Sequence, residues 1–415
     1  MAYNVRDIKL AKQGKLQIEW AEQHMGALLE VQKKFRKEKP LKGHRVGLAL
    51  HVTKETAVLV RTLVAGGAKV AITGCNPLST QDDVAASLAK EGVSVFAKKG
   101  ETKKEYYEYL NKVLDFKPTI TIDDGCDLVT EVHKTRTELI DKIVVGTEET
   151  TTGVIRLKAM EADKALKYPV IAVNDNKTKH LFDNYYGTGQ STIDGILRAT
   201  NILFAGKAVV VVGYGSCGKG VAMRARGMGS NVIVTEVQPL LALQAQMDGF
   251  RVMPMGSAAK IGDVFITVTG DKHTIALQHI KSMKSGAILA NSGHFDIEID
   301  VAGLEKTSKS KRRMRHFLDE YVLPSGKKIY LCGEGRLVNL AAAEGHPSEV
   351  MSLSFCGQSL AAEYGIKNSL GAGVHTLPEE VDRNIAALQL KAMGIRIDSL
   401  TNEQKKYLAS WEHGT

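Results

Sequence analysis

The sequence predicts an α/β fold: two doubly wound domains with a cleft between them, plus a small helical piece at the C-terminus. Three observations carry that expectation. The chain runs to 415 residues, too long for one ordinary core. Short apolar stretches alternate with helical ones from about residue 45 onward, a rhythm that builds mostly parallel sheets covered on both faces. The middle of the chain holds AGKAVVVVGYGSCGKGV (205–221), in which an apolar strand runs through a glycine-rich turn into a helix.

Taken in order, residues 1–40 read as amphipathic helix, with Ile18, Ala21, Met25, Leu28, Leu29 and Val31 near helical spacing before a basic end and Pro40. Strands are then expected over 45–50, 69–73, 93–97, 119–122 and 170–173, with helices over 54–65, 82–90 and 103–115 between them. A second α/β unit from about 190 to 345 takes strands over 208–212, 231–236, 264–268 and 287–290, with 329–331 a later candidate. Residues 346–376 read as helix. The end, 377–415, reads as a small helical piece whose Leu400, Tyr407, Leu408 and Trp411 are placed to dock on a neighbour.

Composition narrows the class. With 44% hydrophobic and 24% charged residues the chain reads as soluble and globular, and no run approaches the 18 apolar residues of a membrane span. The first residues, MAYNVRDIKLAKQGK, have no apolar core of a signal peptide. The five cysteines (Cys75, Cys126, Cys217, Cys332, Cys356) are scattered, without a CxxC pair, as expected of a reduced, cytoplasmic compartment. No metal-ligand spacing is present, so no catalytic metal is expected. The net charge of +9 concentrates at 33–42 and 306–316, which lack interleaved aromatics. A solvated basic face is therefore expected rather than a nucleic-acid site, and no membrane partner.

Within the glycine turn each glycine has its own reason. Gly213 permits the tight turn off the strand, Gly215 lets the backbone approach a pyrophosphate, and Gly218 lets helix and strand pack closely. Free N–H groups at the helix start face the phosphates. The next strand ends in Glu236, eighteen residues after Gly218, where a carboxylate accepts from a ribose 2′-OH. Val237, Gln238 and Pro239 follow, with no Arg to hold a 2′-phosphate, so NAD is expected rather than NADP in a Rossmann-like domain.

Four polar clusters stand where strands of the first unit end or the crossing begins: His51–Thr56, Asp123-Asp124-Gly125, Thr147–Gly153 and Thr178–Asn184. Singly, each has a plain structural account. Thr53 caps a helix, Asp124-Gly125 makes a turn, and Lys179 with Asp183 forms an i,i+4 pair. Together, ahead of a dinucleotide motif, they point to a cleft at the carboxyl ends of strands.

Over essentially its whole length the chain resembles the S-adenosylhomocysteine hydrolases. The residues carrying the resemblance are LHVTKETAVL (50–59), STQDD (79–83), DDG (123–125), EETTTGV (148–154), NDNKTKHLFDN (174–184), GYGSCGKG (213–220), NSGHFDIEID (291–300) and EGRLVNLAAAEGHPSEVMSLSF (334–355). The resemblance implies a thioether hydrolase with tightly bound NAD. The ribose 3′-OH is oxidised, the now acidic C4′ proton is removed, homocysteine leaves C5′, water adds and the ketone is reduced again. It implies a substrate-binding domain over 1–185 completed by 347–376, an NAD-binding domain over 186–346, and an oligomerisation segment over 377–415 in a homotetramer.

By the same resemblance, Lys179 and Asp183 bind the ribose hydroxyls, with Lys179 taking the 3′-OH proton, a role that asks for a depressed amine pKa. Glu149 holds the hydroxyls, Asp124 and His51 handle protons at C4′ and the 5′ leaving group, and His294 with Asn184 supports them. Thr150, Thr151, Thr152 and Asn184 contact the nicotinamide end; Gly213, Gly215, Gly218, Glu236, Asn291 and Asn339 complete the cofactor site. Thr53 and Glu55 read the purine edge and His346 closes over it.

Three departures stand out. Glu344 occupies a position expected to be Met, and a carboxylate near the base makes S-inosylhomocysteine an alternative substrate. Thr188 replaces a Cys of many members. The sequence ends at Thr415 without the Lys-x-x-x-Tyr tail of longer members. Two other readings are a simple NAD dehydrogenase that releases NADH and a non-catalytic NAD-binding regulator.

Overall fold

The computed structural model describes residues 2–412. Strands β1 (Tyr3–Asn4), β2 (Arg45–Ala49), β3 (Lys69–Thr73), β4 (Ser94–Phe96), β5 (Ile120–Asp123), β6 (Val145–Glu148) and β7 (Pro169–Ala172) belong to a first sheet. A second sheet takes β8 (Ala208–Val212), β9 (Asn231–Thr235), β10 (Arg251–Val252), β11 (Val264–Thr267), β12 (Ala287–Asn291), β13 (Ser310–Arg315), β14 (Leu318–Val322) and β15 (Lys328–Cys332). Strand β16 (Gly373–His375) returns to the first sheet, parallel to β7. The result is two α/β bodies, each built on an eight-stranded sheet.

Strand order decides where ligands can gather. The first sheet runs β1-β4-β3-β2-β5-β6-β7-β16 and the second β10-β9-β8-β11-β12-β15-β14-β13. Chain direction away from the centre reverses between β2 and β5 in one sheet and between β8 and β11 in the other. At such a switch point the loops after adjacent strands diverge and leave a crevice. His51 follows β2 and Asp124 follows β5; Gly213 follows β8 and Thr269 lies just past β11.

The strands are apolar because both faces are covered. Along β8, Val209 and Val211 join one core cluster while Val210 and Val212 join the cluster on the opposite face. In the first body Val46 and Leu48 of β2 pack on one side and Ala49 on the other. The chain crosses to the second body at the helix Thr188–Thr200 and returns through Ser348–Lys367, much of which is buried.

Three features were not legible in sequence. The basic run near 310 becomes the fully exposed edge strand β13, antiparallel to β14, with Arg312 on Glu320 at 2.7 Å and Arg313 on Glu334 at 2.8 Å. Cationic side chains on an exposed edge discourage pairing with another chain. The EETTTGV stretch begins within strand β6. The helix Glu379–Ala392 is not a free-standing piece: Asp382 accepts from the backbone N–H of Lys177 at 2.5 Å and of Thr178 at 3.0 Å, tying it to the first body. Beyond it, the helix Asn402–Leu408 has no buried residue, and Trp411 is 92% exposed.

Burial also sets one pH response away from the cleft. Glu101 is buried, and desolvation pushes its carboxyl up to about 8. The unfolded chain ionises this group near pH 4.5, so folding is progressively penalised as pH rises from there to about 8. Glu101→Gln is expected to raise the melting temperature at pH 8–9, with the gain vanishing at pH 4, in thermal unfolding across that range. A pH-independent difference would remove the explanation.

Candidate active site

Between the two switch points lies a cavity of about 1280 Å³, lined from both bodies. Its floor on the first body is an ionic cluster. After β7 a single helical turn, Lys177–His180, leads into a π-helical turn, Asp183–Gly187, which brings Lys179, Asp183 and Asn184 to one point. The Lys179 Nζ donates to Asn184 Oδ1 at 2.7 Å, lies 2.7 Å from Asp183 Oδ2 and 3.8 Å from Glu149 Oε1, and is 4% exposed. Glu149, just past β6, is held by Ser354 and, at 2.5 Å, by Gln358 Nε2, both on the helix Ser348–Lys367.

The charges of this cluster follow from competition. Burial alone would discharge the Lys179 amine, but Asp183 and Glu149 outweigh it and hold the pKa above the ordinary lysine value. This corrects the depressed amine expected from sequence: the ligand-free cluster stores Lys179 as an ammonium. Burial opposes ionisation of Asp183 too, yet Lys179 and His346 keep it below the usual carboxylate range. Glu149 has burial and Asp183 pushing up against Lys179 pulling down, and settles at about 7.

Facing that cluster, His51, Asp124 and His294 converge from three loops, their nearest polar atoms all within 4.8 Å of one another. His51 Nε2 lies 3.4 Å from Asp124 Oδ2, and His294 Nδ1 lies 3.5 Å from Asp124 Oδ1. The other side of His51 is anchored, with Nδ1 at 2.8 Å from Ser79 Oγ and 3.2 Å from Cys75 Sγ. Burial pushes the His51 pKa down to about 4 against the pull of Asp124, so the imidazole is neutral at pH 7. His294 arrives from the second body through a close approach: Gly125 has φ +105°, and a Cβ there would meet His294 Nε2 at 2.3 Å. Only glycine lets the two bodies close this far.

Neither Asp124 nor Glu149 is placed by its own bonds alone. Glu148, buried beneath them, accepts from the N–H groups of Gly125 at 2.8 Å, Cys126 at 3.0 Å and Thr150 at 3.0 Å. Asp123 accepts from Asp124 and Val129 N–H, both at 2.9 Å. Sequence reasoning placed Glu148 in a polar cluster without a role and gave none to Ser354 and Gln358. The last two did leave a signal, polar residues four apart and so on one face of a helix.

At one end of the cavity, Thr53 caps the helix Lys54–Ala65 and Glu55 sits in its first turn, 1% exposed, accepting from Ser348 Oγ at 2.7 Å. His346 Nδ1 pairs with Asp183, and its Nε2 lies 3.3 Å from Thr188 Oγ1. Glu344 does not line the cavity. Its carboxylate is held by Lys54 at 3.0 Å and Arg198 at 3.3 Å instead, which corrects the expectation that it touches the base.

At the other end the residues fit a dinucleotide. Gly213 takes φ +102°, a Cβ on Gly215 would meet nothing within 4 Å, and one on Gly218 would strike the Gly213 carbonyl oxygen at 2.1 Å. Glu236 follows β9 and accepts from Tyr214 N–H at 2.7 Å, so carboxylate and glycine turn are locked together. Thr150, Thr151, Thr152 and Asn339 line the same space, and the buried Asn339 Oδ1 has no partner, a vacant acceptor for an amide donor. Asn291 is different. Its Nδ2 donates to Gly293, Phe295 and Gly335 carbonyls at 2.9–3.1 Å and its Oδ1 accepts from Thr267 and Gly293, so it braces the loop carrying His294 and lies outside the cavity wall.

Known proteins match the chain over its whole length. The family model for S-adenosyl-L-homocysteine hydrolase matches residues 2–145, and the model for its NAD binding domain matches residues 184–345. The chain is 62% identical over 415 residues to an S-inosyl-L-homocysteine hydrolase of Methanocaldococcus jannaschii, covering 100% of both chains. It is 60% identical to an adenosylhomocysteinase of Sulfolobus acidocaldarius and 58% to one of Saccharolobus solfataricus, each again with 100% of both chains covered. With NAD as its cofactor and the two-body α/β fold described above, the chain belongs to the S-adenosyl-L-homocysteine hydrolase family.

Proposed function

We propose that the protein hydrolyses S-adenosyl-L-homocysteine to adenosine and homocysteine, reversibly, with NAD held at the second switch point. The observation that carries this reading is the juxtaposition in one cavity of the Lys179–Asp183–Glu149 cluster, the His51–Asp124–His294 cluster and the Gly213–Gly218 turn. Bound NAD supplies reversible hydride transfer at the ribose C3′, which makes the C4′ hydrogen acidic.

The remaining work falls to the chain. Ribose hydroxyls donating to Asp183 and Glu149 spread the negative charge that keeps Lys179 protonated, so substrate entry itself lowers the amine pKa and frees Lys179 to take the 3′-OH proton. Asn184 orients the amine. His51, neutral at pH 7, accepts the C4′ proton with Asp124 and returns a proton to the homocysteine sulfur as the C5′–S bond breaks. His294 closes the same space from the second body and excludes bulk water while the ketone exists.

At the base end Glu55 presents a carboxylate, which accepts from the 6-amino group of adenine and repels the 6-oxo group of hypoxanthine. A second reading, S-inosyl-L-homocysteine as substrate, is favoured by the name of the Methanocaldococcus relative and by the N1–H that hypoxanthine can turn toward the same carboxylate. Steady-state thiol release from both thioethers by NAD-loaded protein tests them side by side. Preference for the adenosine form is expected. Preference for the inosine form installs the second reading, net NADH release indicates a dehydrogenase, and thiol release from neither leaves an NAD-binding regulator.

The exposed Leu400, Leu408 and Trp411 support assembly as a homotetramer. The five cysteines, unpaired among the described residues, support a cytoplasmic site. No helix among the described residues is long and apolar enough to cross a membrane.

A further inference from the structure

A line of alternating charges runs from the base end of the cavity to the second body. Glu55 lines the cavity; Lys54 Nζ lies 3.3 Å from its Oε1 and 3.0 Å from Glu344 Oε2. Glu344 Oε1 lies 3.3 Å from Arg198 on the helix Thr188–Thr200, and Arg198 Nε is 3.0 Å from Asp194. Backbone groups reinforce it: Lys54 N–H donates to Gln81 Oε1 at 2.9 Å and Gln81 Nε2 donates to the Glu344 carbonyl at 3.3 Å. Lys54 is 7% exposed, so its ammonium is committed to these partners rather than to solvent. Neither Lys54 nor Glu344 lines the cavity.

The segment 344–348 is therefore fastened at three points. Glu344 reaches Lys54, His346 reaches Asp183, and Ser348 reaches the same Glu55 oxygen as Lys54 does. When this segment seats, it completes the base site and the ribose site together.

We propose that Lys54 and Glu344 are positioning residues that hold the Glu55 carboxylate aimed at the purine, so that base selection depends on a pair that never touches the base. The inference rests on the purine lying at Thr53–Glu55, as in the function proposed above. A carboxylate so held accepts from the 6-amino group that adenine presents. Without the Lys54 ammonium, Glu55 and Glu344 face each other as like charges near the cavity wall. Glu55 then loses the cation that aims it, and with it the preference for the 6-amino edge of adenine.

The test uses the full-length NAD-loaded protein and both thioethers. Lys54→Met is expected to raise KM for S-adenosylhomocysteine by ~10-fold or more, the consequence of leaving a buried charge unpaired, with a much smaller change in kcat. The ratio of kcat/KM values shifts toward S-inosylhomocysteine. Lys54→Arg, which keeps the charge, restores most of the wild-type ratio. Glu344→Met acts in the same direction but less, because Lys54 remains paired with Glu55, and the double variant is non-additive. NAD content and thermal unfolding report integrity. If Lys54→Met does not fold, Lys54→Arg and Glu344→Met carry the comparison. An unchanged substrate ratio in Lys54→Met, or in Glu344→Met where Lys54→Met does not fold, or a fall in kcat at constant KM, overturns the proposal. Wild-type thiol release tests the parent reading separately.

Discussion

Lys179→Ala is expected to lower kcat by about 10²–10⁴-fold, the range for loss of a positioned proton-transfer group, while the chain still folds and holds NAD. Thiol release gives the rate; bound-nucleotide content and thermal unfolding report the rest. The fold should survive although a buried cation is removed, because the carboxylates left behind can neutralise themselves. Glu149 already sits at about 7, so one proton taken up there relieves the like charges. Lys179→Arg serves as the control. It keeps the positive charge beside Asp183 and so the architecture, but a guanidinium does not give up its proton at accessible pH. It should therefore be as inactive as the alanine variant. Normal turnover by either variant would remove Lys179 from proton transfer.

Glu236→Ala is expected to weaken NAD binding by ~10- to 100-fold, the equivalent of one or two hydrogen bonds to a charged acceptor. The effect has two sources. The carboxylate that would accept from the ribose hydroxyls is lost, and so is the partner of Tyr214 N–H, which registers the glycine turn against β9. Val237 and Gln238 N–H, now on the same carboxylate at 2.7 and 2.9 Å, would also be left without it. At saturating NAD the variant should recover near-normal kcat, since nothing at the ribose-oxidising end has changed. Equilibrium titration of NAD into stripped protein is the measurement. Unchanged affinity would dismiss the 2′-OH role.

Both predictions name residues already visible in the sequence, one through a local signature and one through the family resemblance. Gly213, Gly215, Gly218 and Glu236 follow from what a strand-turn-helix must do to approach a pyrophosphate, while Lys179 and Asp183 follow from the resemblance carried by NDNKTKHLFDN (174–184). Glu344 shows the opposite. A carboxylate two residues before His346 looked like a base contact, yet the structure turns it outward onto Lys54 and Arg198. Its direction depends on where two other elements lie, and no local pattern contains that. Asn291 was misread for the same reason, its amide being consumed by carbonyls of Gly293, Phe295 and Gly335.

The ionisation states were further still from view. A lysine four residues before an aspartate reads as an ordinary ion pair in either state. Only the two carboxylates beside it keep the buried Lys179 an ammonium, and only burial, with Nδ1 held by Ser79 and Cys75, makes His51 neutral at pH 7.

What this sequence determined by itself was the class of machine: two α/β bodies, a dinucleotide turn and a set of polar clusters at strand ends. Short-range rules govern those, since strand periodicity and glycine turns depend on neighbours along the chain. The tertiary structure decided which clusters meet, which carboxylates face the cavity, and which charges survive there. Those outcomes depend on strand order and on how closely the bodies approach. Gly125 against His294 is an example: the contact joins residues 169 positions apart in the sequence, and the fold alone brings them together.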